Sequence, residues 1–126
     1  MERIIIPKNV NEVENLYLSG PMTGYPKHNF SAFEAGATQL RGAGYKVFSP
    51  HEVKGEQDWG WADYMRADFP GVLGAQGIAV LDGWTESRGA RAEVDLAHLL
   101  GAFVLPKDVW LSYRLTQNYN TYLRFH

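Results

Sequence analysis

Short apolar runs alternate with helix-like stretches along most of this chain, and that alternation limits the fold more than any other feature. Asn15 to Ser19, Tyr45 to Pro50, Gly77 to Asp82 and Ala102 to Pro106 each read as a strand of five or six residues bounded by turn formers. Between the first two, Ser31-Ala32-Phe33-Glu34 has capping-box spacing. Phe33, Ala37 and Leu40 then recur at helical intervals until Gly42 and Gly44 stop the helix. Trp61 to Asp68 is helical in pattern, and Pro70 predicts a new helical turn just after Asp68, which places Asp68 at a helix junction. Ser87 to Gly101 is a third helical stretch, Val109 to Leu115 a short fourth, and Tyr122 to Phe125 a fifth strand. Parallel neighbours need crossovers, so the expected fold class is α/β. The sheet is doubly wound and flavodoxin- or Rossmann-like, of about five mostly parallel strands with helices on both faces. In such sheets a ligand sits beyond the carboxyl ends of the strands, where the strand order reverses.

With 126 residues the chain is expected to form one domain over 1–126, residues 1–13 being an arm or, through Ile4-Ile5-Ile6, an extra strand. Neither repeats nor low-complexity segments occur. A net charge of -2 argues against a nucleic-acid polymer as partner. The lack of cysteine removes disulfides, thiolate nucleophiles and cysteine-metal sites. No run approaches the roughly 20 apolar residues of a membrane span, and none resembles a signal peptide. A soluble, cytoplasmic protein without membrane partners is expected. His28, His51, His98 and His126 lack ligand spacing, so no metal site is expected, and no motif calls for a cofactor.

Among candidate chemistries, serine-nucleophile catalysis has no Gly-x-Ser-x-Gly elbow, and the Gly20 to Gly24 loop is neither a dinucleotide fingerprint nor a P-loop. Its amides are nevertheless placed to cradle an anion or a sugar. Glu93 stands out differently. Gly89 and Ala97, four residues to either side, share its helical face and leave room for a ligand to reach the carboxylate. Ser87 reads first as the N-cap of that helix; the same hydroxyl and the helix amides also suit a phosphate. Trp84 is either core or a wall for a planar base, and Trp59, Trp61 and Tyr64 crowd the end of a polar excursion from His51 to Gly60. Asp68 and Asp82 are turn formers or caps, and each is also placed to supply a second carboxylate beside Glu93.

Taken together, Tyr17-Leu18-Ser19-Gly20-Pro21-Met22-Thr23-Gly24, Asn29-Phe30, Ser49-Pro50, Asp68, Asp82-Gly83-Trp84, Ser87-x-Gly89-Ala90 and Glu93-x-x-x-Ala97-x-x-x-Gly101 resemble the nucleoside 2-deoxyribosyltransferase superfamily. The likeness runs from about Leu16 to Pro106 and is strongest to a branch of small phage and bacterial members, similar to deoxynucleoside 5′-monophosphate N-glycosidases. The resemblance implies that Glu93 is the nucleophile, that Asp68 assists the leaving base and that Tyr17 orients the glutamate. It implies a substrate site lined by Ser19, Gly20, Pro21, Met22, Thr23, Gly24, Asn29, Phe30, Asp82, Trp84, Ser87, Gly89 and Ala90. Six residues before the nucleophile, relatives acting on nucleosides carry aspartate and those acting on 5′-monophosphates carry serine; this chain has Ser87. Two positions depart from the pattern: Gln76 stands where many relatives have aspartate, and Pro21 where the nucleotide hydrolases have a phosphate-binding serine. The expectation is therefore an N-glycosidase or deoxyribosyltransferase acting on a small nucleoside or nucleotide. The alternative is a non-catalytic nucleotide-binding or sequestering protein. Relatives are dimers or larger, so a homo-oligomer is expected, with Asn118 to His126 available for that contact.

Overall fold

The computed structural model describes residues 3–125. Four strands, β1 (Asn15–Ser19), β2 (Lys46–Phe48), β3 (Gly77–Val80) and β4 (Phe103–Pro106), form one sheet in the order β2-β1-β3-β4 with every pair parallel. The α/β class is as expected, with four strands in place of five. Strand order reverses between β1 and β3, so the sheet's switch point lies at the carboxyl ends of those two strands.

Successive residues of a strand point to opposite faces, and β1 shows what that does. Leu16 and Leu18 enter a core with Phe33, Ala37 and Leu40 of α1 (Phe30–Gly42) and Trp110 of α4 (Lys107–Phe125). Tyr17 enters the opposite core with Val72 of α2 (Trp61–Leu73) and Val94 and Ala97 of α3 (Arg88–Leu99). Both faces of the sheet are covered, which is why β3 is buried at every residue.

Several local expectations need correction. Tyr122 to Phe125 is not a strand; it ends α4, which runs unbroken from Lys107. No glycine or proline interrupts that stretch, so the helix propagates once nucleated. Its docking face is fixed by Trp110, whose Nε1 donates to the Ile78 carbonyl (2.9 Å), Arg114, whose Nη2 donates to the Val13 carbonyl (2.8 Å), and Gln117, whose Nε2 donates to the Asn11 carbonyl (2.9 Å). Ser31 does not open α1: the helix starts at Phe30, preceded by Asn29 in the left-handed region without a side-chain cap. Pro70 does not start a new turn either, because α2 passes through it, so Asp68 lies inside a continuous helix. Proline there removes one intrahelical donor, which a helix packed against a sheet tolerates.

The N-terminal segment forms no extra strand among its described residues; its first regular element is a 3-10 turn at Val10–Glu12. Met1, Glu2 and His126 lie outside the described residues. Gln76 accounts for how the segment is held. Its Oε1 accepts from the backbone N–H of Glu14 (2.8 Å) and its Nε2 donates to the Ile5 carbonyl (3.1 Å). Asn15 completes the clamp by accepting from the Gln76 N–H (2.7 Å) and donating to the Gly74 carbonyl (3.1 Å). Among the described residues no helix is long and apolar enough to cross a membrane.

Candidate active site

Tyr17 and Ser19 are two residues apart on β1 and therefore face the same side, toward α3. α3 begins where the chain leaves β3 through Asp82 and Gly83, the latter at a φ of 84° that favours glycine. A 3-10 turn at Trp84–Glu86 follows, and Ser87 caps the helix, its hydroxyl accepting from the Ala90 N–H (3.2 Å). One turn into α3 Glu93 comes down onto β1. The Tyr17 hydroxyl donates to its Oε2, and the Ser19 hydroxyl donates to its Oε1 at 2.8 Å. Phe48 of β2 stacks on the Tyr17 ring with centroids 5.4 Å apart, which fixes the phenol that meets the carboxylate.

Asp68 approaches the same place from α2. It is only 6% exposed, Glu93 is 4% exposed, and Asp68 Oδ1 has no hydrogen-bond partner. Carboxylates are seldom buried without a cation, and among the described residues no Lys or Arg forms an ion pair with either one. The cost falls on the ionised form. Burial pushes the Glu93 carboxyl up to about 7 against the pull of the Tyr17 and Ser19 hydroxyls, with Asp68 adding a further push. Burial alone pushes Asp68 up to about 6. The Tyr17 phenol is pushed well above its ordinary range by burial first and then by the two neighbouring carboxylates. Two buried carboxyls, both held above the ordinary carboxylate range and neither paired with a cation among the described residues, are the kind of perturbed acids that mark a functional site.

The other candidate residues divide between this cluster and its surroundings. Gly20 and Pro21 are buried, Gly20 lying so close to Leu81 that a side chain would collide with its Cβ at 2.9 Å. Met22 is half-buried while Thr23 and Gly24 are exposed. The Asn29 side chain donates to the Pro21 carbonyl (2.9 Å), which closes the loop onto itself. Asn29 and Asp82 line a cleft of about 370 Å³ with Tyr25, Ala32, Gly83 and Lys107, and neither Glu93 nor Asp68 borders it. Phe30 is exposed and meets the His51 ring edge-on. Trp84 packs half-buried against the core under α3, and Ala90 is buried one turn before Val94. Gly89 lies where α3 meets α2: a Cβ there would touch Met65 Sδ at 3.4 Å and Trp61 Nε1 at 3.6 Å.

Ser19 ends β1, as the sequence predicts, but its role differs from the expected one: it reads as part of the substrate site, and its hydroxyl is instead turned onto Glu93. The two-residue spacing from Tyr17 is the signal for that shared face.

A model of one sequence family matches residues 14–105, from just before β1 into β4. The chain belongs to DUF4406. That family is described as a domain of unknown function, and its span in this chain includes Tyr17, Ser19, Asp68 and Glu93 while leaving out α4. No curated protein matches this DUF4406 chain.

Proposed function

We propose that this DUF4406 protein breaks the N-glycosidic bond of a deoxynucleoside 5′-monophosphate or related nucleoside, with Glu93 as nucleophile and Asp68 as the acid that helps the base depart. The observation that carries the proposal is the buried pair itself: one carboxyl held by two hydroxyl donors beside a second carboxyl with an unpartnered oxygen. The motif-level resemblance to the nucleoside 2-deoxyribosyltransferase superfamily supports the same assignment.

Bond breaking at C1′ builds positive charge on the sugar, which favours an ionised Glu93. An oxygen of Glu93 bonds to C1′ while the electron pair of the glycosidic bond leaves with the base nitrogen. A proton on Asp68 goes to the base or is shared with it. Burial raises both carboxyls toward neutrality, so Asp68 can carry that proton at neutral pH. A sugar developing positive charge over Glu93 favours its ionised form, and a base acceptor over Asp68 favours the protonated one. In a second step water bonds to C1′ as the C1′–Glu93 oxygen bond breaks, and its proton passes to the Asp68 carboxylate, which releases the sugar and restores both acids; a second base would accept the sugar instead. Tyr17 and Ser19 hold the carboxylate plane through both steps.

Ser87 bears on the phosphate. Its oxygen accepts from Ala90 N–H but its own hydrogen remains available to a phosphate oxygen at the positive end of α3. The proposal is tested by incubating the purified protein with the four deoxynucleoside 5′-monophosphates and the matching nucleosides and separating free base. Base release with preference for the 5′-monophosphates is expected; no release from any of the eight would overturn the assignment.

A further inference from the structure

Where α3 begins beside the start of α2, the Arg88 guanidinium carbon lies over the Trp61 indole, 3.8 Å from the ring centroid. We propose that Trp61 is the stacking platform for the ligand's planar base and that Arg88 is a displaceable cover over it. This deepens the glycosidase reading by naming how the base is recognised, and it rests on that reading only for the choice of ligand.

The placement argues for it. Trp61, Met65 and Asp68 recur at spacings of four and three, so they share one face of α2, running from an exposed indole inward to the unpartnered carboxyl. Gly89 and Glu93 form the facing stripe of α3 one turn apart. Because position 89 has no side chain, the Trp61 indole edge is not shielded from α3. Large apolar rings are normally buried, yet Trp61 leaves two-fifths of its surface in solvent, and Trp59 packs edge-on to Tyr64 beside it rather than covering it.

Arg88 is held there weakly. It forms no ion pair or side-chain hydrogen bond among the described residues, so the indole is its one side-chain partner. An exposed cation–π contact is weaker than the stacking of a base on an aromatic ring, so a base displaces the guanidinium rather than the reverse.

Indole N–H resonances of ¹⁵N-tryptophan-labelled protein read this directly, the Trp61 signal being assigned by its loss in Trp61→Leu. Deoxynucleoside 5′-monophosphates should shift the Trp61 signal saturably, and deoxyribose 5-phosphate, which lacks the base, should not. Arg88→Ala should lower the midpoint for the matching deoxynucleosides, which carry no phosphate for the arginine to attract, by about three-fold. A Trp61 signal unmoved by all four nucleotides, moved equally by the sugar phosphate, or titrating with the deoxynucleosides at an unchanged or higher midpoint in Arg88→Ala would overturn the proposal. A Trp61-dependent shift without any base release would leave the platform standing while removing the catalytic reading. Release unaffected by Trp61→Leu would do the opposite.

Discussion

At the scale of single residues the balance is between burial and hydrogen bonding at two carboxyls. The raised pKa of Asp68 means that the folded protein binds its proton more tightly than the unfolded chain does. Asp68 is then neutral at no cost below about pH 4 and becomes a growing liability as pH rises through about 6, where the folded state must ionise it. Asp68→Asn should therefore raise unfolding free energy by about 2 kcal/mol at pH 8, with the gain fading toward pH 4; denaturant titrations at the two pH values would check it. Ser19→Ala removes a donor that favours ionised Glu93, so the pH at which that carboxyl titrates should rise by about one unit in the profile of base release, with Ser19→Thr restoring it. Ser87→Asp keeps an N-cap side chain but sets a negative charge against a phosphate, so helix stability should hold while release from 5′-monophosphates falls more than release from nucleosides. The meeting of Tyr17 and Glu93 is legible in the sequence because the family-like motif marks both. The Ser19 contact is not, because a hydroxyl at a strand's end beside a glycine-rich loop reads as a ligand contact rather than as a partner for a helix carboxylate.

Among elements, the clearest contrast lies between α1 and α4. Ser31-x-x-Glu34 reads as a capping box, yet α1 begins one residue earlier, so Ser31→Ala should change stability by less than about 0.5 kcal/mol, where a true cap would cost about twice that. The apolar spacing of Phe33, Ala37 and Leu40 was readable because burial enforces it; the cap was not, because the chain enters the helix through three left-handed residues, Lys27 to Asn29, that no composition rule anticipates. α4 was misread at its end for a related reason. Tyr122-Leu123-Arg124-Phe125 has strand composition, but a helix already anchored by Trp110 and Arg114 continues where no glycine or proline interrupts it, as far as Phe125. That anchor depends on a missing side chain in β3. A Cβ at Gly77 would sit 2.7 Å from Trp110 Cζ2 and 3.0 Å from Leu16 Cδ2, so Gly77→Ala should destabilise the protein by about 1–3 kcal/mol and loosen α4, seen as faster amide exchange there.

For the molecule as a whole, the parallel sheet and its order decide where chemistry can happen. Alternation of strand and helix made the α/β class readable, and the reversal between β1 and β3 brings a strand residue, Tyr17, against a helix residue, Glu93, far along the chain. Asp68 is readable as a second carboxylate beside Glu93, but not as part of one unbroken α2, because a proline inside a helix reads as a boundary. Asn29 and Asp82 share the carboxyl edge with Glu93 but open into a separate cleft, a distinction of sheet face that the sequence order does not carry. The central claim is that Glu93 bonds to the sugar. Acid-quenched mixtures of protein and a deoxynucleoside 5′-monophosphate, digested and weighed by mass spectrometry, should show a deoxyribosyl phosphate adduct on the peptide containing Glu93, absent in Glu93→Gln together with base release. Base release persisting at an undiminished rate in Glu93→Gln would contradict the account.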